Sequence, residues 1–228
     1  FLNDTEPTLH TLFLQRRVKS VYLPYSSRKD LPRVMLALFQ LFRREKPHWV
    51  HAHLFDACLA ALPAARFAGV KGRVYTRHHS TIHHVYHPHM VKIDKLLNAL
   101  STDIIAISDN VKSVLTEKEG VRPEKIMIIH HGFDLEKFIH RDPLLVDGLR
   151  KKYNPSNRRP VIGVISRFTH WKGLQYTIPA FQSLLHDFPE ALLLLANAKG
   201  DFESGLRPLI AQLPEGSCME IPFEKDLF

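Results

Sequence analysis

Only two cysteines, Cys58 and Cys218, occur in 228 residues, and both stand in apolar surroundings. Two isolated thiols cannot form the disulfide framework of a small secreted protein; they read as buried free thiols of a reducing compartment. No apolar run approaches the ~20 residues that span a bilayer. The opening FLNDTEPTLH has no basic segment followed by an apolar core, so it does not read as a signal peptide. These absences point to a cytoplasmic protein. No segment is low-complexity and no repeat of solenoid period recurs. Chemical signatures are missing too. Without a G-x-S-x-G elbow a serine nucleophile is poorly supported. Without a G-x-G-x-x-G after a strand a nicotinamide enzyme is unsupported. No paired carboxylates of a hydrolase are visible. No helix-turn-helix, zinc-finger or RNP-type signature points to nucleic acid as a partner.

Acidic residues are in short supply. Lys and Arg number 31 against 23 Asp and Glu, giving a net charge of +8 with His neutral. That excess suits anionic partners such as nucleotide sugars or anionic lipid head groups.

What is present is an alternation of strands and helices. Val18–Pro24 reads as a strand. Leu31–Arg44 reads as an amphipathic helix, with Leu31, Val34, Leu38 and Leu41 on one face. His48–His53 is a short strand, Asp56–Ala68 a helix ended by Gly69, and Val74–Arg77 a strand. A His-rich loop leads to a helix over Met90–Leu100, then a strand over Asp103–Ser108. Ser108 or Asp109 caps the next helix, which ends at Gly120, and Ile126–His130 is a buried strand. The pattern then breaks into charges, Pro and Gly. A second series follows: strand 161–165, helix 173–187, strand 191–196, helix 202–213 and strand 217–221. Such alternation specifies an α/β fold of parallel, doubly wound sheets. The expected division is a first domain over 1–140 lacking its first βα unit, a linker over 141–160, and the first part of a second domain over 161–228.

The stretch Val161–Gly173, VIGVISRFTHWKG, places Arg167 and Lys172 where a strand's carboxyl end meets a helix's N-terminus. In open α/β sheets ligands bind in that crevice. Helix N–H groups favour an anion there, and two cations would add charge-assisted hydrogen bonds. A phosphate or diphosphate is the fitting ligand; the plainer alternative is a pair of solvated loop charges.

Histidine is plentiful, with 15 residues, many of them between His78 and His89. His83 and His87 are four apart, which on a helix would align two metal ligands. Pro88 disfavours a helix there and no acidic or Cys ligand stands nearby in sequence, so no metal site is expected. His51 and His53 point to one face of their strand, near its carboxyl end, where a structural role is as well supported as a functional one. Arg33, Arg43, Arg44 and Lys46 lie close together on or beside one helix. They suggest peripheral contact with an anionic membrane at its inner face, against the alternative of an ordinary solvated face.

Four segments, taken in order, resemble the glycosyltransferase group 1 family (retaining, family four, GT-B fold). WVHAHLFDACLAALPAARFAGVKGRVYTRHH is similar to its "vvHaH…t.H" segment, AISDNVKSVL to its "avSe…k..l" segment, and SRFTHWKG to its "GR…KG" element. IMIIHHGFDLEKF is similar to its "v..nGvD…F" segment, matching at Gly132, Asp134 and Phe138. The chain departs from the pattern at Ser166 and His131, where the family has Gly and Asn, and at Asn197-Ala198-Lys199-Gly200, where it has a Gly-rich turn.

The resemblance implies two incomplete Rossmann-like domains facing each other across a cleft, with a nucleotide-diphosphate sugar on the second and the acceptor on the first. It implies that Arg167 and Lys172 hold the donor diphosphate, and that His78 lies near the reacting anomeric carbon. It places Gly132 at the cleft floor; His53 is the expected acceptor-side neighbour. It implies no metal and no other cofactor. The family's E-x7-E element would fall beyond Phe228 and its N-terminal Gly-rich loop before Phe1. The expectation is therefore a fragment, inactive alone, of a transferase that moves a hexose to a glycan or lipid-linked acceptor. A non-catalytic sugar-nucleotide-binding or scaffold fragment, and a sugar-nucleotide epimerase of the same fold, are the alternatives.

Overall fold

The computed structural model describes residues 2–3, 8–133, 135–139 and 142–221. The chain divides into two compact units, Phe1–Gly132 and Phe133–Phe228. In order, the first unit holds β1 (Leu2–Asn3), α1 (Thr8–Gln15), β2 (Leu23–Pro24), α2 (Leu31–Glu45), β3 (Trp49–His53), α3 (Phe55–Phe67) and β4 (Gly72–Arg77). It continues with α4 (Ile82–Tyr86), α5 (Val91–Leu100), β5 (Asp103–Ala106), α6 (Asp109–Ser113) and β6 (Ile126–Ile128). The second unit holds α7 (Glu136–Ile139), α8 (Pro143–Tyr153), β7 (Val161–Ile165), α9 (Leu174–Leu184), β8 (Leu192–Ala196), α10 (Glu203–Ile210) and β9 (Cys218–Ile221).

In the first unit β3, β4, β5 and β6 form a parallel sheet in sequential order, and β1 pairs with β2 as a separate parallel ribbon. The register aligns Ala52, Tyr75, Ile104 and Ile126 in one row across the sheet. Side chains alternate along strands, so this row faces one side. There it packs with Cys58 and Leu62 of α3, Leu97 of α5, Val111 of α6 and Leu115. Fully burying one such Leu or Ile contributes about 1.5–3 kcal/mol. The opposite row, His53, Thr76, Ile105 and Met127, faces away from those helices.

Ser108 caps α6, its hydroxyl accepting the Val111 N–H at 3.3 Å. The helix runs on as a π-helical turn over Val114–Lys118 and ends at Gly120 with φ of +74°. Two expectations need correction. Of the strand expected over Val18–Pro24, only Leu23–Pro24 is paired, because Leu2–Asn3 offers a two-residue partner. The His-rich loop contains the helix α4, despite Pro88. Proline disfavours helical backbone at the residue before it, and α4 ends at Tyr86, one short of His87, whose φ is −141°.

In the second unit β7, β8 and β9 form a parallel sheet. Ile162 and Val164 align with Leu193 and Leu195 and pack against Leu174, Ile178 and Phe181 of α9 and Leu206 of α10. The stretch 141–160 carries α8, whose N-cap Asp142 accepts the Leu144 N–H at 2.9 Å. Asp134, one of the matches in the 126–138 segment, lies outside the described residues.

Candidate functional site

Parallel strands deliver their carboxyl ends to one edge of a sheet, and in the first unit that edge is rich in imidazoles. His53 ends β3, His78 follows β4, and His131 and Gly132 follow β6. His53 Nδ1 and His78 Nε2 are hydrogen-bonded at 3.3 Å. The His131 ring stacks on His78, with centroids 5.6 Å apart and planes 17° from parallel. His51 lies beside His53, 4.2 Å between centroids, and its Nε2 bonds Thr76 Oγ1 at 2.8 Å. Burial, reinforced by charge on His53 and His131, holds His78 below the usual imidazole value. Burial, then His53 and His78, does the same to His51. Neutral imidazoles both donate and accept, which suits them to sugar hydroxyls.

Beneath His78 lies a buried polar cluster. Arg77 is 3% exposed, and its guanidinium meets Asp94 at 2.7 Å and Glu119 at 2.6 Å. Its Nε–H donates to the His79 carbonyl at 3.0 Å. His83 Nδ1 bonds Asp94 at 2.7 Å, His84 Nε2 bonds Glu119 at 3.2 Å, and Asn98 Nδ2 donates to Glu119 at 2.7 Å. The Tyr75 hydroxyl donates to Asn98 Oδ1. Donor atoms of His79, His83 and Asp94 lie within 4.8 Å of one another, the spacing of a metal set. Asp94 is already occupied by the Arg77 guanidinium, and a fixed cation beside the carboxylate opposes a second one. The chemistry of this set is that of an ion-pair network. His87, four residues after His83 in sequence, lies past the end of α4, its ring centroid 6.3 Å from that of His83.

In the second unit β7 runs into the loop Ser166–Gly173. Phe168 anchors it, fully buried among Leu174, Ile178 and Leu195. On either side of that anchor Arg167 and Lys172 are exposed. Neither side chain has an ion pair or hydrogen bond among the described residues. Lys172 closes a 3-10 turn over His170–Lys172, and Gly173 turns the chain into α9 with φ of +77°. That left-handed value is open to glycine at little cost. Lys172 thus stands just before the N-terminus of an eleven-residue helix and Arg167 just after the end of β7; at a helix N-terminus the macrodipole is positive and an anion is favoured. Ser166 Oγ, Thr169 Oγ1 and Asn197 Oδ1 are buried there without hydrogen-bond partners among the described residues.

Each expected site residue is thus located: His53, His78 and Gly132 at the strand ends of one unit, Arg167 and Lys172 at the β7–α9 junction of the other. Sequence reasoning missed two features. Phe168 was legible as an apolar residue amid polar loop neighbours, though Trp171 in the same loop offered the same signal and is exposed. The Arg77 network was marked only by an arginine ending an otherwise apolar-facing strand.

Comparison with known proteins gives these features a family. The profile of Glycosyltransferase Family 4 matches residues 3–137. An Escherichia coli UDP-Gal:alpha-D-GlcNAc-diphosphoundecaprenol alpha-1,3-galactosyltransferase is 28% identical over 137 residues, 56% of this chain and 35% of the relative. A Streptomyces kanamyceticus 2-deoxystreptamine glucosyltransferase is 26% identical over 158 residues, 64% of this chain and 40% of the relative. The chain thus spans well under half the length of these curated relatives. Among solved structures, Anabaena HepE in complex with UDP-glucose superposes with a TM-score of 0.80 at 20% identity, over 98% of this chain and 61% of that one. That likeness shows a shared fold of Rossmann-like parallel sheets, and the family match shows the lineage: the chain belongs to Glycosyltransferase Family 4.

Proposed function

We propose that the protein transfers a hexose from a uridine-diphosphate sugar to a glycan or lipid-linked acceptor, with retention of configuration. The observation that carries this reading is the pair of exposed cations of the β7–α9 loop, Arg167 and Lys172, which have no ion pair or hydrogen bond among the described residues. In the reaction the bond between the anomeric carbon and the β-phosphate oxygen breaks, and that oxygen leaves with negative charge. Two cations meeting it would stabilise the transition state in the place of a metal ion. The buried atoms of Ser166, Thr169 and Asn197, which have no hydrogen-bond partner among the described residues, offer further polar contacts to a ligand at this loop. His78 and His53 bind sugar hydroxyls, and Gly132 admits close backbone approach. The Escherichia coli relative is named for a UDP-sugar donor and a lipid-diphosphate acceptor, and HepE was solved with UDP-glucose. Both support this choice of donor and acceptor. The family's transferases likewise support transfer over epimerisation.

We further propose peripheral contact with an anionic lipid surface. Arg43, Lys46, His48 and Lys71 line one surface hollow of about 450 Å³. Arg33 and Arg44 contribute less, since they lie against Asp30 and Glu45. Co-sedimentation with vesicles should increase with the anionic lipid fraction; no such preference removes this part.

The test of the main reading is product analysis. The full-length protein is incubated with UDP-glucose, UDP-galactose or GDP-mannose and a diphosphate-lipid-linked sugar. The expected result is UDP release and an axial product from an axial donor. An epimerised nucleotide sugar formed without acceptor would replace the transferase with the epimerase.

A further inference from the structure

His78 stands where a side chain could be left to wander. It follows the final residue of β4 and begins a loop. Two features argue that it does not. The residue before it, Arg77, is 3% exposed, and the residue after it is tied back to Arg77 itself through the bond from Nε to the His79 carbonyl at 3.0 Å. The backbone on both sides of His78 is therefore closed onto one guanidinium.

That guanidinium is itself immobile. Asp94 on α5 and Glu119 after the π-helical turn grip it from separate elements, and both carboxylates have side chains 0% exposed. Each carboxylate is held by a second donor from α4, His83 on Asp94 and His84 on Glu119. A planar fork with five donors can satisfy two carboxylates and a carbonyl together, which a lysine ammonium cannot reproduce. Removing any one member leaves a buried polar group unpaired.

We propose that Arg77 is a positioning residue for His78: it fixes the loop that aims the imidazole, and Asp94 and Glu119 act through it. The proposal rests on the reading of His78 as a sugar-facing group, but its geometry can be tested without that reading. Nothing in it requires Arg77 to touch substrate. A misplacement of about 1 Å at a reacting centre can lower a rate by ~100-fold. Arg77 is thus expected to govern turnover and leave nucleotide affinity to Arg167 and Lys172.

The test is Arg77→Lys, which keeps a buried cation while removing the Nε–H donor and the fork. Circular dichroism establishes that the variant is folded. Imidazole nitrogen spectra then report His78 directly, assigned by loss of its signals in His78→Gln. The proposal predicts shifted His78 signals and loss of the His53 contact. It also predicts a kcat lowered about 10- to 100-fold with UDP affinity unchanged. Unmoved His78 signals in the folded variant overturn it, whatever the activity. Shifted signals uphold the positioning whether or not sugar is transferred, and a full-length protein that transfers no sugar at all would sink the transferase reading alone, so the two failures are distinguishable. If Arg77→Lys does not fold, Glu119→Gln takes its place. That variant leaves one carboxylate with one guanidinium, keeps the side chain's shape, and is expected to move His78 in the same way to a smaller extent; unmoved signals there also overturn the proposal.

Discussion

Gly200 lies so close to Phe168 that a Cβ at position 200 would stand 2.1 Å from the Phe168 carbonyl oxygen. The two loops after β7 and β8 are laced together at this point. Phe168 N–H donates to the Lys199 carbonyl at 3.0 Å, and Phe202 N–H donates to the Phe168 carbonyl at 2.9 Å. The loop carrying Arg167 and Lys172 is thereby held from the neighbouring strand's end.

Gly200→Ala should therefore cost about 1–3 kcal/mol, since backbone and not a flexible side chain must give way. Urea unfolding measures this. The contrast is Gly72→Ala, where the nearest atoms belong to the Trp49 ring at 2.2 Å. Trp49 is 63% exposed and can swing aside, so that variant should lose less.

Arg77→Ala should be far more damaging to stability than a surface arginine. It leaves Asp94 and Glu119 buried without their guanidinium, and breaking a buried pair in this way costs about 3–5 kcal/mol. Arg43→Ala, at an exposed position, should fall within about 0.5 kcal/mol of the parent. Equal losses at the two positions would contradict the network described for Arg77.

Arg77 and the β7–α9 junction show what could and could not be read from sequence. The apolar β-branched run of β7 and the helical spacing of Leu174, Ile178 and Phe181 are local patterns. They predicted the β7–α9 junction and its two cations. Ser108 was legible as a cap for the same reason. Arg77 looked like any basic residue at a strand's end, because the partners that bury it lie 17 and 42 residues away. The strand expected over 18–24 failed on the same ground: its alternation was sound, but pairing is decided by a partner that local pattern does not contain.

Stability should fall as the solution is made acidic below neutrality. Burial, with the charges of Arg77 and His83, lowers His79 from the ordinary 6.5 to about 4. Between those values the unfolded chain binds the extra proton and the folded chain does not. The folded state is thus penalised progressively from pH 6.5 down to about 4, and the penalty is absent above 6.5. His51 and His78 act in the same direction. Urea midpoints at pH 7 and pH 5 should differ with the lower value at pH 5, and His79→Gln should reduce the difference. A midpoint that rises on acidification would contradict the burial of these imidazoles.

Chelation should leave transfer untouched. With Arg167 and Lys172 meeting the leaving diphosphate, EDTA is expected to change the rate by less than about twofold, a margin well below the contribution of one lost transition-state contact. Recovery of a chelated, inactive enzyme by Mg²⁺ or Mn²⁺ would assign the diphosphate to a metal instead.

The central claim is that Arg167 and Lys172 hold the donor diphosphate, and calorimetric titration with UDP tests it most directly. Parent, Arg167→Ala and Lys172→Ala are compared under one salt condition. Each substitution removes one charge-assisted contact and should weaken binding by about tenfold or more. UDP that binds both variants as tightly as the parent, or does not bind the parent at all, would contradict the account.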